Sequence, residues 1–341
     1  MNKKNYWIGL ALSVLFLYLF LRKVDLLELW RAFHSVNYLY TVPIMAANVF
    51  SIWLRAVRWR RLLDPIKKIA LTALFNTTAI GFMANNLFPA RIGELVRAFV
   101  LAEKARISKT ASLATIVVER LFDGFTILLL LLVVLLFLPF PEQSASGLTP
   151  RQIKMVGLFG LLFSTLVLTA LVLLRFHNQP TNRFIGWCLK PLPVRLAERI
   201  RGLIVSFVSG LEILRRGKDI FIVKLYSLAL WGVLSLSVYL LFIGFNFPLT
   251  LLEAFFLEIV LIFGVSIPSA PGFIGTWHWA CAAGLMYLGI EPNLAQTFAI
   301  INWLCYFVPI TLLGLLVLWR EGMSLKTIQS EIGNTKSEHN P

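Results

Sequence analysis

Asn85-Asn86-Leu87-Phe88-Pro89-Ala90-Arg91-Ile92-Gly93-Glu94 closes a hydrophobic stretch, Ile69 to Ala90, that is otherwise long enough to cross a bilayer. A helix cannot run through these ten residues unchanged. Pro89 brings no N–H and its ring clashes with the preceding turn, while the residue before it is pushed toward extended backbone. In hydrocarbon a broken backbone finds no water, so it must lie buried in protein or line a wet cavity. Basic residues flank the stretch on both sides, Arg55, Arg58, Arg60, Arg61, Lys67 and Lys68 before it and Arg91, Arg97, Lys104, Arg106 and Lys109 after it. Lys and Arg collect on the cytoplasmic side of a membrane protein, and two basic flanks therefore read as a re-entrant hairpin rather than a crossing.

Outward from this break the chain is apolar. Of 341 residues 58% are hydrophobic and 14% charged, where an ordinary soluble domain carries about 25% charged residues. The net charge of +15 sits between long apolar runs instead of on a polar surface, which excludes a nucleic-acid binder and points to topology and anionic lipid. Further uncharged stretches run from Tyr6 to Leu21, Asn37 to Leu54, Gly124 to Pro141, Met155 to Leu174, Leu225 to Leu252 and Pro292 to Trp319. A second interrupted stretch, Ile259 to Ile290, contains Pro268-Ser269-Ala270-Pro271-Gly272. The expected architecture is all-α and polytopic, with about six full crossings and two re-entrant broken-helix hairpins opening toward opposite faces. Because each broken segment could also span, eight crossings remain the alternative. One transmembrane domain covers 1–322, its halves at about 1–140 and 220–320, with a basic cytoplasmic or interfacial segment at 175–219 and a disordered cytoplasmic tail at 323–341. Both termini are expected in the cytoplasm.

Pro89-Ala90-Arg91-Ile92-Gly93-Glu94 and Pro271-Gly272-Phe273-Ile274-Gly275-Thr276 repeat Pro, Ile and Gly at the same offsets. With opposite orientation of the hairpins, this is the pattern of an inverted repeat that builds a midplane site from discontinuous helices. A helix starting at Pro89 or Pro271 would present unpaired N–H groups and a partial positive charge, to which an anion is the natural partner. Arg91, Glu94 and Arg97 follow the first break at i, i+3, i+6. Glu119, Arg120 and Asp123 precede an uncharged span, with Asp123 in reach of Arg120. Glu258 is a lone acid whose partner would be an arginine of the first half. His278 and Asn302 read as structural. Trp7, Trp53, Trp59, Trp231 and Trp319 fall near span ends and read as interface anchors.

Cys188, Cys281 and Cys305 are scattered and the four histidines stand apart, so no metal site or cofactor is expected. No phosphate-binding glycine loop is visible either.

Taken together, residues 86–98, 119–123 and 271–275 resemble the lysylphosphatidylglycerol synthase transmembrane-region family, over about residues 5 to 320. That family includes proteins that move aminoacylated phosphatidylglycerol between leaflets and proteins of hopanoid and glycolipid gene neighbourhoods. The resemblance implies a lipid flippase or transporter of the bacterial inner membrane, not an enzyme. Its partners would be anionic membrane lipids, together with lipid-modifying enzymes with which it would associate. The alternative is an embedded enzyme, with Glu119 and Asp123 as acid and base, or a scaffold in lipid-linked biosynthesis. The lipid-binding set is then Asn85, Asn86, Pro89, Arg91, Gly93, Glu94, Arg97, Glu119, Arg120, Asp123, Glu258, Pro271, Gly272, Gly275 and His278. His278 stands where the family motif often carries Glu, and no soluble aminoacyl-transfer domain appears, so lysylation is not implied.

Overall fold

The computed structural model describes residues 31–34, 36–88, 91–138, 217–267 and 269–323, with single helical positions at 14, 15, 18, 155, 158 and 162. The expected spans at Tyr6 to Leu21 and Met155 to Leu174, the segment 175–219 up to residue 216, nearly all of the tail, and Pro89 lie outside the described residues.

Eight α-helices carry the described chain: α1 (Thr41–Leu63), α2 (Leu71–Leu87), α3 (Gly93–Ala105), α4 (Lys109–Phe137), α5 (Gly217–Gly244), α6 (Leu251–Ser266), α7 (Thr276–Tyr287) and α8 (Pro292–Arg320). Short 3-10 turns stand at Tyr38–Tyr40 and Pro271–Phe273. Among the described residues four helical runs are long and apolar enough to cross a membrane, Tyr38–Leu63, Lys109–Phe137, Lys218–Gly244 and Pro292–Arg320. Local chemistry fixes where two of the eight helices start. Thr250 and Glu253 form a capping box on α6, and Glu291 accepts hydrogen bonds from the Asn293 and Leu294 amides ahead of Pro292 on α8.

Both interrupted stretches are helix–break–helix units whose arms pack on each other, α2 with α3 and α6 with α7. In the first, a Cβ on Gly93 would stand 1.9 Å from the Gly81 carbonyl oxygen, so only glycine permits that approach. In the second, a Cβ on Gly264 would stand 2.3 Å from the Ala280 Cβ. The helices begin later than expected. α3 starts at Gly93 and α7 at Thr276 rather than at the prolines, because Gly272 (φ 71°) and Gly275 (φ 90°) take left-handed backbone that no α-helix continues. Arg91 (φ 52°) and Phe273 (φ 57°), which the repeated motif aligns, adopt the same rare conformation. The two breaks also meet, since the Arg91 guanidinium lies 5.4 Å from the Phe273 ring centre.

α1 is the central helix, packed on α2, α4, α5 and α8. Its outer face carries Phe50 stacked on Trp53, both exposed, while Asn48, Ser51, Arg55 and Arg58 form a buried polar stripe at helical spacing. Arg55 and Arg58 are therefore not loop residues marking topology, unlike the exposed Arg60 and Arg61. Pro309 inside α8 cannot donate to the Cys305 carbonyl, and Asn48 Nδ2 donates to that oxygen instead at 3.2 Å. Around this spine the apolar core fills with Ile44, Phe242, Leu257, Leu285 and Phe298 toward one end and Trp59, Leu62, Leu74, Leu101 and Phe122 toward the other.

Candidate functional site

α4 begins at Lys109, well before the uncharged run, so Glu119 and Asp123 lie about 15 and 21 Å into the helix at 1.5 Å per residue. They are not at its mouth. Both are buried, and both are met by guanidinium groups from other helices. Arg97 of α3 holds Glu119 in a two-pronged pair at 2.9 Å on each oxygen, with its guanidinium carbon 3.8 Å over the Trp59 ring. Arg58 of α1 lies 3.0 Å from Glu119 and donates to both oxygens of Asp123, and also to Ser227 at 2.8 Å. Arg120 reaches Glu119 at 2.7 Å, Asp123 at 3.3 Å and Glu94 at 3.6 Å. Three arginines and three acids thus cancel in one network. Burial without such pairing would cost several kcal/mol per ion.

Next to this network a cavity of about 250 Å³ opens, to which all eight helices contribute lining residues. Asn85, Arg91, Glu94, Arg120, Asp123 and Glu258 line it, which brings six of the expected site residues to one place. Arg97 and Glu119 stand behind this wall, in the network. Asn86 is structural, donating to Thr311 Oγ1 at 2.9 Å. Gly93 is a packing residue whose amide donates to Asn85 Oδ1 at 2.8 Å. Pro271, Gly272 and Gly275 shape the second break, and the Gly272 carbonyl accepts from Trp303 Nε1 at 2.7 Å. His278 packs 5.3 Å from the Trp303 ring rather than on the cavity.

The cavity also holds residues that sequence reasoning passed over. Arg55, 6% exposed, lines it with its guanidinium 4.6 Å from the Phe82 ring centre; its Nε and Nη1 are buried and, among the described residues, meet no hydrogen-bond acceptor. Trp231 is buried and donates to Asp123 at 3.3 Å, and Trp59 is buried and donates to Thr115 at 2.9 Å, so neither is an interface anchor. Asn48, Asn302, Trp277 and Tyr306 complete the polar and aromatic wall. The signal for Arg55 was present in the 3-4-3 spacing of Asn48, Ser51, Arg55 and Arg58.

Apolar helices of membrane-crossing length around a buried charged cavity define an integral membrane protein with a polar site inside its helical bundle. Among the described residues no group of His, Cys, Asp and Glu could hold a metal ion. The chain belongs to the family described as the lysylphosphatidylglycerol synthase TM region, whose model matches residues 6–314. It is 22% identical over 301 residues to a UPF0104 membrane protein of Methanothermobacter thermautotrophicus, covering 84% of this chain and 87% of the relative. To a UPF0104 membrane protein of Pyrococcus horikoshii it is 23% identical over 294 residues, covering 83% and 87%. It is also 27% identical over 325 residues to glycosyltransferase AglD of Haloferax volcanii, covering 86% of this chain and 51% of that protein. This last relative corrects the expectation that the chain is not an enzyme, because a protein similar to it over most of its length is named for catalysis. No solved structure matches the chain.

Proposed function

We propose that the chain is a membrane-embedded component of lipid-linked biosynthesis that holds the anionic headgroup of a lipid, or of a lipid carrier, in the central cavity. The carrying observation is the charge distribution. Once the three-arginine, three-acid network is set aside, buried Arg55 and exposed Arg91 line the cavity with no carboxylate in salt-bridge distance among the described residues, and it is Arg55 that carries the burden of burial. A buried guanidinium without a partner is costly, and an anion arriving with two oxygens relieves it. Arg55 and Arg91 therefore hold the phosphate, where the sequence reading had Arg91, Arg97 and Arg120 do so. Ile127, Leu234, Leu261 and Val265, which line the same cavity, suit the start of a lipid tail.

The similarity to a protein named a glycosyltransferase supports the biosynthetic reading over plain transport. In a group-transfer step on the headgroup, Glu258 is the carboxylate left to accept a proton from an attacking hydroxyl. Glu119 and Asp123 are spent on guanidinium groups. A second reading, movement of the headgroup between leaflets, is favoured by the meeting of the two broken segments at Arg91 and Phe273. In that reading they are re-entrant hairpins in an inverted repeat, with the basic end of the bundle cytoplasmic.

Proteoliposomes carrying fluorescent lipid phosphates separate these outcomes. The expected result is that purified protein retains or chemically alters the lipid headgroup and that Arg55→Gln abolishes the effect. Migration of unaltered headgroups to the inner leaflet would select the second reading. Indifference to every anionic lipid would remove the headgroup site itself.

A further inference from the structure

The same cavity carries a second pair of polar groups with few partners, on α6 and α8. Glu258 lines the cavity and, among the described residues, has neither an ion pair nor a hydrogen bond. Asn302, 6% exposed, lines it too, and its Nδ2 meets no oxygen acceptor; apart from the thiol of Cys281, a weak partner, nothing engages that group. α6, which carries Glu258, and α8, which carries Asn302, both pack on α7. Beside them the Trp277 and Tyr306 rings stack at 5.0 Å between centres.

One carboxyl, one donor left open and an aromatic platform together specify what fits. A bare phosphate repels Glu258 whenever that carboxyl is ionised, whereas a hydroxyl can donate to its ionised form or accept from its protonated one. An ammonium group satisfies Glu258 but gives Asn302 Nδ2 nothing to donate to. A pair of hydroxyls does both, donating to the carboxylate and accepting from the amide, and the C–H face of a sugar ring rests on an aromatic side chain. We propose that the cavity reads two parts of its ligand, a phosphate at Arg55 and Arg91 and a hydroxyl-bearing sugar or polyol at Glu258 and Asn302. The substrate class is then a lipid phosphate ester whose headgroup carries adjacent hydroxyls. This assignment rests on the headgroup reading above and goes beyond it by naming the group on the far side of the phosphate.

The test compares phosphatidylinositol, phosphatidic acid and phosphatidylethanolamine as probes of the purified protein in neutral nanodiscs, with binding read from the fluorescence of Trp231 and Trp277 and from native mass spectrometry. Wild type is expected to favour phosphatidylinositol over phosphatidic acid by about tenfold or more, the worth of one charge-assisted hydrogen bond. Glu258→Gln and Asn302→Leu bring that ratio down to about twofold while phosphatidic acid still binds, and Glu258→Asp restores part of it. Arg55→Gln weakens both lipids alike. Equal affinity of wild type for phosphatidylinositol and phosphatidic acid overturns the proposal, as does preference for phosphatidylethanolamine. Soluble inositol 1-phosphate binding as tightly as the lipid overturns its lipid part. Failure of all anionic lipids to bind is a different result and removes the headgroup site beneath it.

Discussion

Arg55 and Arg58 are one helical turn apart on α1 and hold opposite positions in the energetics of the protein. Arg58 is covered by Asp123, Glu119 and Ser227, whereas Arg55 has an aromatic face and, among the described residues, no carboxylate within 4.0 Å. Removing a cation that lacks a partner relieves a desolvation cost; removing one side of a buried pair creates one. Arg55→Met is therefore expected to lose at least about tenfold in affinity for phosphatidic acid while its melting temperature in detergent holds or rises. A fall in both would mean that Arg55 is structural. Glu119→Gln acts the other way, because Arg58 and Arg97 lose their shared carboxylate, and a destabilisation of about 3–5 kcal/mol is expected in denaturation from micelles. An unchanged unfolding midpoint would sink the network as a structural unit.

At the scale of elements, the two broken segments were legible because proline, glycine and asparagine in the middle of apolar runs have few uses. Their conformations were not. Pro89 and Pro271 look like helix starts by position, yet the left-handed residues after them delay α3 and α7 to Gly93 and Thr276. Glu119, Arg120 and Asp123 were found as a cluster for the same reason, since charge beside an uncharged run stands out. Arg55 and Arg58 were hidden by a rule that reads arginine at the end of a span as orientation. The face on which they fall, shared with Asn48 and Ser51, decides otherwise. Helix contact carries a prediction of its own. Gly93→Ala puts a methyl 1.9 Å from the Gly81 carbonyl and 2.7 Å from the Asn85 amide nitrogen, so the backbones of α2 and α3 must separate. Overpacking of this kind costs about 1–3 kcal/mol, and Arg91 and Glu94 shift with α3. Lower thermal stability together with weaker lipid binding is expected; wild-type behaviour in both would show that the arms are free to part.

Taken whole, the molecule has a basic end. Lys67 donates to the Ala105 carbonyl at 2.8 Å, and Lys104 donates to Glu321 at 2.7 Å, which gathers the ends of α1, α3 and α8. Glu321 also accepts from Asn76 of α2 at 2.7 Å. The bond from Lys104, then that from Asn76, holds the Glu321 carboxyl below the ordinary carboxylate range. A carboxylate with a lowered value in the folded protein stabilises it above the unfolded value of 4.5 and loses that contribution as pH falls through the folded one. Wild type should thus lose a stability advantage over Glu321→Gln as pH drops below about 4.5, read as the difference between their melting temperatures. A difference that does not vary with pH would show the clasp to be idle. High salt should narrow the same gap, because the pair is partly exposed.

The stripe on α1 also bears on how the chain enters its membrane. Of the four spanning helices this one is the least apolar, with a mean hydropathy of 1.2 against 2.4, 1.9 and 2.1 for the others. A lone arginine near the centre of a span costs about 2.5–3.5 kcal/mol on insertion scales, and α1 carries two. The carboxylates that neutralise Arg58 lie on α4, which leaves the ribosome some sixty residues later. Until then Arg58 lacks the two carboxylates that neutralise it, so the translocon has reason to retain α1 at its lateral gate and to release the two helices to lipid as a pair.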